Sequence, residues 1–217
     1  MKVTTVACIQ GAWLPDFFPA NVLDIGAGTG ILSLMAAQRY ACPIDAVEIE
    51  HNAFYQLKDN IDSNPWNERI QGYHMDIKAF AKQSSKKYDL IISNPPFYQN
   101  QLKSLNDRIN QAKHETSLTV SELLDVSSFL LSESGKISIL LPLTESNQLS
   151  TIIPDKGLFF VDQLVISDTI GKTAIAAVTI LSKTYKKPVE KKLIIKNENG
   201  SYTTDFISLV KDYYLYM

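Results

Sequence analysis

The sequence has few of the residues that mark secreted, zinc-stabilised or membrane proteins. Its 217 residues include only two cysteines, Cys8 and Cys42, which are too few for a disulfide framework and lack the paired spacing of a structural zinc site. No apolar run approaches the roughly 20 residues that span a bilayer. The N-terminus also lacks a charged segment followed by an apolar one, which is the pattern of a secretory signal. We therefore expect a cytoplasmic protein with no membrane contact and no metal.

The chain also lacks internal repeats and low-complexity segments. Its composition, 45% apolar and 20% charged, is ordinary for a globular protein. A chain of this length can bury a substantial core within one domain. We expect a single domain over residues 1–217 that acts as a monomer.

The two ends of the chain carry opposite charge, although the formal net charge is only −2. Residues 1–76 contain four Lys/Arg and nine Asp/Glu, a net charge of −5, whereas residues 172–196 contain seven Lys and one Glu, a net charge of +6. A run of like charge is usually a solvated face, but a basic run that includes an aromatic residue is also typical of a nucleic-acid contact surface. This basic run consists of Lys183, Tyr185, Lys186, Lys187, Lys191, Lys192 and Lys196.

Apolar runs alternate with amphipathic segments through the first two thirds of the sequence. Buried strands are predicted at NVLDI, IDAVEI, RIQGYHMD, YDLIIS and KISILLP, and helices from Ile31, from about His51, at IKAFAKQ and from Val120. Three consecutive strands, LFFVDQLVIS, TAIAAVTILSK and KKLIIK, follow near the C-terminus. The pattern predicts an α/β fold with a doubly wound, Rossmann-like sheet that is mostly parallel and ends in an antiparallel C-terminal hairpin.

A glycine-rich turn follows the first predicted strand. Gly26, Gly28 and Gly30 form G-x-G-x-G, which differs from the G-x-G-x-x-G of dinucleotide folds, and Asp24 precedes them. A helix N-terminus that opens towards a pyrophosphate suits a nicotinamide cofactor. A carboxylate just before the glycines instead suits a ligand with positive charge, and S-adenosylmethionine carries an ammonium and a sulfonium.

Two further acids end the next two predicted strands. Glu48 lies eighteen residues after Gly30, where a carboxylate can accept hydrogen bonds from both hydroxyls of a ribose. Asp76 ends the segment RIQGYHMD, where it can accept a hydrogen bond from the amine of an adenine. One acid at a strand end is usually a turn residue or a helix cap. Three in succession after a glycine turn favour a nucleoside cofactor, and we predict S-adenosylmethionine.

Four residues, Asn94, Pro95, Pro96 and Phe97, follow the apolar run YDLIIS, at the edge where open α/β sheets bind ligands. The Asn94 amide oxygen can accept a hydrogen bond from an amino group. Pro95 has no N–H and can fix the turn so that a backbone carbonyl accepts the second proton. Phe97 can stack on a heteroaromatic ring. Asn and Pro are also ordinary turn residues, but beside a cofactor turn they favour a pocket for a planar amine.

These segments resemble the class I S-adenosylmethionine-dependent methyltransferases, and within them the branch that methylates exocyclic or amide nitrogens with an NPP-aromatic motif. Within that branch the chain is similar to the bacterial family that methylates N6 of an adenine next to the anticodon of a valine tRNA. The resemblance covers nearly the whole chain. It rests on MKV and GAW near the start, and on LDIGAGTGILSLMAAQR, IDAVEIE, NPWNERI, YDLIISNPPFYQN and YTTDFISLVKDYYLYM.

The resemblance implies a seven-stranded sheet with one antiparallel strand, a tRNA substrate, and chemistry at residues 94–97. It implies a cofactor site built from Asp24, Gly26, Gly28, Gly30, Glu48, Asp76, Ile77 and Asn94. The same NPP-aromatic turn serves protein glutamine N5-methyltransferases and rRNA guanine N2-methyltransferases, because amides and aromatic amines satisfy the same acceptors. A subunit that binds cofactor or RNA without catalysis is a further alternative, which the intact Asp24, Glu48 and NPPF disfavour.

The first twenty residues are expected to be a loosely structured approach to the sheet, because they contain Gly11, Pro15 and Pro19. The resemblance also implies a longer N-terminal segment and an acidic residue where this sequence has Val6. We expect the chain to fold and to bind cofactor, but to methylate tRNA slowly.

Overall fold

The computed structural model describes residues 3–95 and 118–215, which form an eight-stranded sheet with helices packed on both faces. The strands are β1 Val22–Ile25, β2 Ile44–Glu48, β3 Ile70–His74, β4 Tyr88–Ser93, β5 Leu131–Pro142, β6 Phe159–Thr169, β7 Ala176–Ser182 and β8 Val189–Lys196. The α-helices in these ranges are α1 Thr5–Ala12, α2 Ile31–Arg39, α3 His51–Asp62, α4 Ile77–Gln83, α5 Val120–Leu130, α6 Leu143–Ile152 and α7 Thr204–Val210.

The strand order is β3-β2-β1-β4-β5-β7-β6-β8. Strands β1 to β5 run parallel, and β7 is antiparallel to both β5 and β6. The predicted doubly wound sheet with an antiparallel hairpin is therefore confirmed. The implied count of seven strands is wrong, because β8 pairs in parallel with β6 and adds an eighth strand at the edge.

Strands β2 and β3 are added on one side of β1, and β4 is then added on its other side, where it pairs with β1. Such a switch point opens a crevice at the carboxyl ends of the two strands. All four residues of β1 are buried, because helices cover both of its faces. Leu23 and Ile25 pack with Leu123 of α5 on one face, and Val22 packs with Ala36 of α2 on the other.

The expectation of a loose N-terminal segment is wrong, because residues 5–12 form α1 and its last six residues are buried. Thr4 caps this helix by accepting a hydrogen bond from the backbone N–H of Ala7 at 3.3 Å. A Cβ on Gly11 would lie 2.4 Å from the Met35 sulfur, so glycine permits close packing of α1 on α2. The proline pattern missed this helix because Pro15 and Pro19 both follow its end. Val6 is half-buried on the same helix.

The helix predicted from Val120 is confirmed as α5, and a capping box forms its start. Thr119 accepts a hydrogen bond from the backbone N–H of Glu122, and the Glu122 carboxylate accepts one from the backbone N–H of Thr119. Across residues 3–95 and 118–215, no helix has the length and apolar character needed to cross a bilayer.

Candidate active site

The residues singled out from the sequence gather at the carboxyl ends of β1, β2, β3 and β4. Asp24 is the third residue of β1, Glu48 is the last residue of β2, and Asp76 follows β3 by two positions. Asn94 and Pro95 follow β4 directly. The parallel pairing of these strands places all of these residues at one edge of the sheet. Pro96 and Phe97 lie outside the described residues.

The glycine turn has a backbone that few other residues could adopt. Gly26, Gly28 and Gly30 have φ angles of 69°, 58° and 84°, in the left-handed region that favours glycine. A Cβ on Gly30 would lie only 2.5 Å from Leu57 of α3, whereas one on Gly26 would meet no atom within 4 Å. The turn therefore packs tightly at its end and stays open at its start, where a ligand can approach the backbone.

Glu48 holds this turn in place. Its Oε2 accepts a hydrogen bond of 2.8 Å from the backbone N–H of Gly28, and its Oε1 accepts one of 2.7 Å from the backbone N–H of Glu50. The side chain is 7% exposed. A carboxylate has about four acceptor positions, so capacity remains for the two ribose hydroxyls that the sequence predicted as its partners.

Asp24 is completely buried beneath the turn. Its Oδ2 accepts a hydrogen bond of 2.6 Å from the Ser33 hydroxyl of α2, while Oδ1 has no donor in the part of the chain that the structure describes. Burial raises the pKa of Asp24 to about 7, the Ser33 hydrogen bond opposes this rise, and the Glu48 charge adds to it. A buried carboxylate oxygen without a donor fits the ammonium of a ligand such as S-adenosylmethionine.

Asp76 and Ile77 have structural roles that the sequence analysis did not separate from cofactor binding. Asp76 is the N-cap of α4, and its Oδ1 accepts hydrogen bonds from the backbone N–H groups of Lys78 and Ala79. Its other oxygen, Oδ2, is the atom that could accept from an adenine amine. Ile77 is 6% exposed and belongs to the main core cluster. Ile49, which the sequence analysis passed over, is 55% exposed directly after Glu48 and offers an apolar surface there.

The residue before Asn94 links the end of β4 to the start of the glycine turn. Ser93 is the last residue of β4, and its hydroxyl donates a hydrogen bond of 2.9 Å to the carbonyl of Ile25, just before Gly26. Asn94 is half-buried and Pro95 is buried. The end of β4, directly before Asn94, and the end of β1, directly before Gly26, are thus joined by a side-chain hydrogen bond.

Sequence reasoning missed Gln10 of α1, which is fully buried. Its Nε2 donates to the Ser93 carbonyl at 3.0 Å and to the Ser138 carbonyl at 3.1 Å. A glutamine among the apolar residues of α1 is the only signal that the sequence offers for this contact.

The basic run does not form one patch beside the site. Because β8 is parallel to β6, its carboxyl end at Lys196 lies at the same edge as Asn94, while Lys186 and Lys187 precede its opposite end. The eight residues of β8 span roughly 23 Å. Lys183, also at the far edge, is paired with Glu133 at 3.0 Å. The sequence could not assign these lysines to edges, because that depends on which strand β8 pairs with.

No group of three His, Cys, Asp or Glu in residues 3–95 and 118–215 is arranged to hold a metal ion. The polar side chains that the structure gathers at this edge include the carboxylates of Asp24, Glu48 and Asp76 and the amide of Asn94.

The chain matches the family described as "Methyltransferase small domain" over residues 12–141. It is 38% identical to the tRNA1(Val) (adenine(37)-N6)-methyltransferase of Shewanella sp. strain MR-4, over 99% of this chain and 92% of the relative. It is 33% identical to the enzyme of the same name from Flavobacterium psychrophilum, over 100% of this chain and 94% of the relative.

Solved structures share the fold at lower sequence identity. A predicted O-methyltransferase from Agrobacterium tumefaciens superposes with a TM-score of 0.70 at 16% identity, covering 94% of this chain and 95% of that one. A glycopeptide N-methyltransferase in complex with S-adenosylmethionine superposes with a TM-score of 0.59 at 12% identity, covering 83% and 87%. These likenesses support the fold alone.

Proposed function

The chain belongs to the methyltransferase small domain family and to the family of the tRNA1(Val) (adenine(37)-N6)-methyltransferases, and we propose that it methylates N6 of the adenine next to the anticodon of a valine tRNA. The methyl donor is S-adenosylmethionine. The observation that carries the proposal is the 33% and 38% identity to two enzymes of that name over 99–100% of this chain. The hydrogen bond from the Ser93 hydroxyl to the Ile25 carbonyl supports the arrangement of the site, because it links the turn that would hold the amine to the turn that would hold the donor.

The cofactor side of the proposed site uses Asp24, Glu48, Asp76 and the glycine turn. Asp24 Oδ1 would accept from the ammonium, and Glu48 would accept from the ribose hydroxyls with the acceptor positions that Gly28 and Glu50 leave free. Asp76 Oδ2 would accept from the adenine amine, and the exposed Ile49 would pack against the adenine ring. Ile77 would act from the core, by supporting the first turn of α4.

Catalysis would depend more on the relative position of the amine and the methyl donor than on a general base. The bound donor would supply a methyl group on a sulfonium: as the amine forms the new N–C bond in line, the C–S bond would break, the neutral thioether would leave and the extra proton of the amine would pass to water. Residues that hold the amine and the donor in this near-attack geometry can contribute about 7–11 kcal/mol. Asn94 would accept a hydrogen bond from the N6 amino group, and a carbonyl in the proline turn at Pro95 and Pro96 would accept from its other proton. Both bonds strengthen as positive charge develops on the nitrogen. Phe97 would stack on the adenine, which must leave the RNA stack to enter.

The tRNA partner is supported by the names of the relatives and by lysines at the catalytic edge. Lys172, in the turn between β6 and β7, is exposed there, and Lys196 ends β8 at the same edge. The continuous sheet supports one methyltransferase domain over residues 1–217. A tRNA substrate would place the enzyme in the cytoplasm, and a monomer suffices because the acceptors named above come from one chain.

Methyl transfer from labelled S-adenosylmethionine to three acceptors tests the proposal. The acceptors are an unmodified valine tRNA, a fragment of ribosomal RNA and a release-factor protein, and the products are identified as modified nucleosides or amino acids. We expect label in N6-methyladenosine from the tRNA, and none when guanine replaces the adenine next to the anticodon. Label in N2-methylguanosine or in glutamine would contradict the proposal, and so would transfer to none of the three.

A further inference from the structure

The buried amide of Gln10 lies between the N-terminal helix and two neighbouring strands, β4, which ends directly before Asn94, and β5. Its Nε2 contacts the carbonyls of Ser93 and Ser138, which are 83 and 128 residues away in sequence, and it lies 3.4 Å from the Ser138 hydroxyl. A carbonyl oxygen can only accept, so the atom that faces both carbonyls must be the NH2 group. The two contacts therefore fix the orientation of the amide.

Core stability does not explain why a glutamine is buried at position 10. Gln10 is 0% exposed, and its Oε1 has no donor within residues 3–95 and 118–215. An acceptor buried without a donor is unfavourable, and an apolar side chain of similar size would avoid it. The feature that distinguishes Gln10 from such a side chain is its pair of N–H donors, and one of them holds the residue next to Asn94.

We propose that Gln10 is a positioning residue, which holds the Ser93 carbonyl and thereby fixes Asn94 against the cofactor turn. Ser93 would then be fixed from two sides, through its carbonyl by Gln10 and through its hydroxyl by the Ile25 carbonyl. In this proposal, α1 supports the active site through the Gln10 side chain. This inference rests on the proposed function only in taking Asn94 as the group that holds the amine.

The packing of α1 makes it a firm support. Ile9 and Ala12 belong to the same core cluster as Met35 of α2 and Leu140 of β5. Gly11 lets α1 approach Met35 closely, because a Cβ at this position would lie 2.4 Å from the Met35 sulfur. Ile9 is also fully buried but its side chain has no donor for the Ser93 carbonyl, so Ile9→Val is a matched control that loosens the same helix.

The test compares Gln10→Met with Ile9→Val in the full chain. A displacement of about 1 Å at reacting groups can lower turnover by about 100-fold, and we expect Gln10→Met to lower kcat by about 10- to 100-fold. Its Kd for S-adenosylmethionine should stay within about twofold of the parent, which is the usual deviation for independent sites. Ile9→Val should change neither quantity by more than that. Equal losses of kcat in both variants would overturn the proposal.

A double-mutant cycle identifies the residue through which Gln10 acts. If it acts through Asn94, Gln10→Met should have no further effect on the rate in an Asn94→Ala background. Additive losses would contradict the inference. If the parent methylates a different amine, the proposed function fails while the same cycle, run on that amine, still tests Gln10.

Two measurements remain informative if Gln10→Met folds poorly. Hydrogen exchange needs no substrate, and the amide N–H of Asn94 should exchange faster in Gln10→Glu than in Ile9→Val. The carboxyl group that Gln10→Glu introduces can donate to one carbonyl when it is protonated but not when it is ionised, so this variant should lose kcat relative to the parent as pH rises. A pH profile parallel to that of the parent, or unchanged Asn94 exchange, would overturn the proposal.

Discussion

Glu48 Oε2 accepts a hydrogen bond of 2.8 Å from the backbone N–H of Gly28, so the acid at the end of β2 holds the glycine turn that follows β1. The other oxygen of the same carboxylate accepts from Glu50, at the start of α3. The carboxylate is therefore oriented before any ligand arrives. A group that is already oriented loses less conformational freedom on binding.

Replacing Glu48 should weaken cofactor binding. Glu48→Ala removes the acceptors for both ribose hydroxyls and releases Gly28, and we expect a loss of about 1.5–3 kcal/mol in binding free energy. Calorimetric titration with S-adenosylmethionine measures it. Glu50→Gln is the control, because Glu50 caps α3 through Asn52 and Ala53, and its replacement should alter stability more than affinity. Unchanged affinity in Glu48→Ala would remove Glu48 from the site.

The stability of the free chain should depend on pH through Asp24. Because burial raises the pKa of Asp24 from 3.8 to about 7, the folded chain holds this proton more tightly than the unfolded chain does. The contribution of Asp24 to stability is then greatest below about pH 4 and falls as pH rises towards about 7, by at most roughly 4 kcal/mol. Denaturant unfolding of the parent and of Asp24→Asn at several pH values should show this fall in the parent alone. Parallel pH curves would refute it.

Cofactor binding should release the Asp24 proton. An ammonium placed at Oδ1 favours the ionised carboxylate, so its pKa falls on binding, and roughly one proton should leave at about pH 6. Calorimetry in buffers with different ionisation enthalpies counts that proton. Asp24→Asn should bind more weakly and release less. Equal proton release by parent and variant would mean that the proton comes from another group.

The two ends of β8 should differ in their contribution to RNA binding. Lys172 and Lys196 lie at the edge that carries Asn94, whereas Lys186 and Lys187 lie beyond the opposite end of β8. Replacing the first pair with glutamine should reduce the slope of log affinity against log salt by up to about 2, and replacing the second pair should leave it unchanged. Filter binding of a valine tRNA at several salt concentrations measures both slopes. The opposite ranking would assign the RNA to the far edge.

Much of the fold and of the cofactor turn could be predicted because the signals are local. The segment from Val22 to Arg39 contains a strand pattern, a glycine turn and a helix pattern in unbroken order, and the structure places them as expected. Asp24 and Glu48 were found in the same way, since each occupies a fixed place relative to its own strand. The N-terminal helix was missed because its apolar face is short and two prolines follow it.

Contacts between distant segments could not be predicted from a single sequence. The hydrogen bond from Gln10 to Ser138 joins residues 128 positions apart, and no local sequence pattern near either residue predicts it. The buried partner of Asp24, Ser33, looks like any polar residue in a helix until α2 is packed on β1. The placement of the lysines at two edges likewise depends on β8 pairing with β6, which only the assembled sheet decides.

The rate of methyl transfer by Asn94→Ala tests the proposed chemistry most directly. The role proposed for the Asn94 amide is to stabilise the amine as charge develops on it, a contribution made in the transition state and not in cofactor binding. The rate of N6-methyladenosine formation in a valine tRNA should be measured in a single turnover at saturating S-adenosylmethionine, with the cofactor Kd measured separately. We predict a rate at least about 100-fold below the parent, in the range seen when a transition-state hydrogen bond is removed, with the Kd nearly unchanged. Methylation at the parental rate would show that the Asn94 amide does not stabilise the reacting amine.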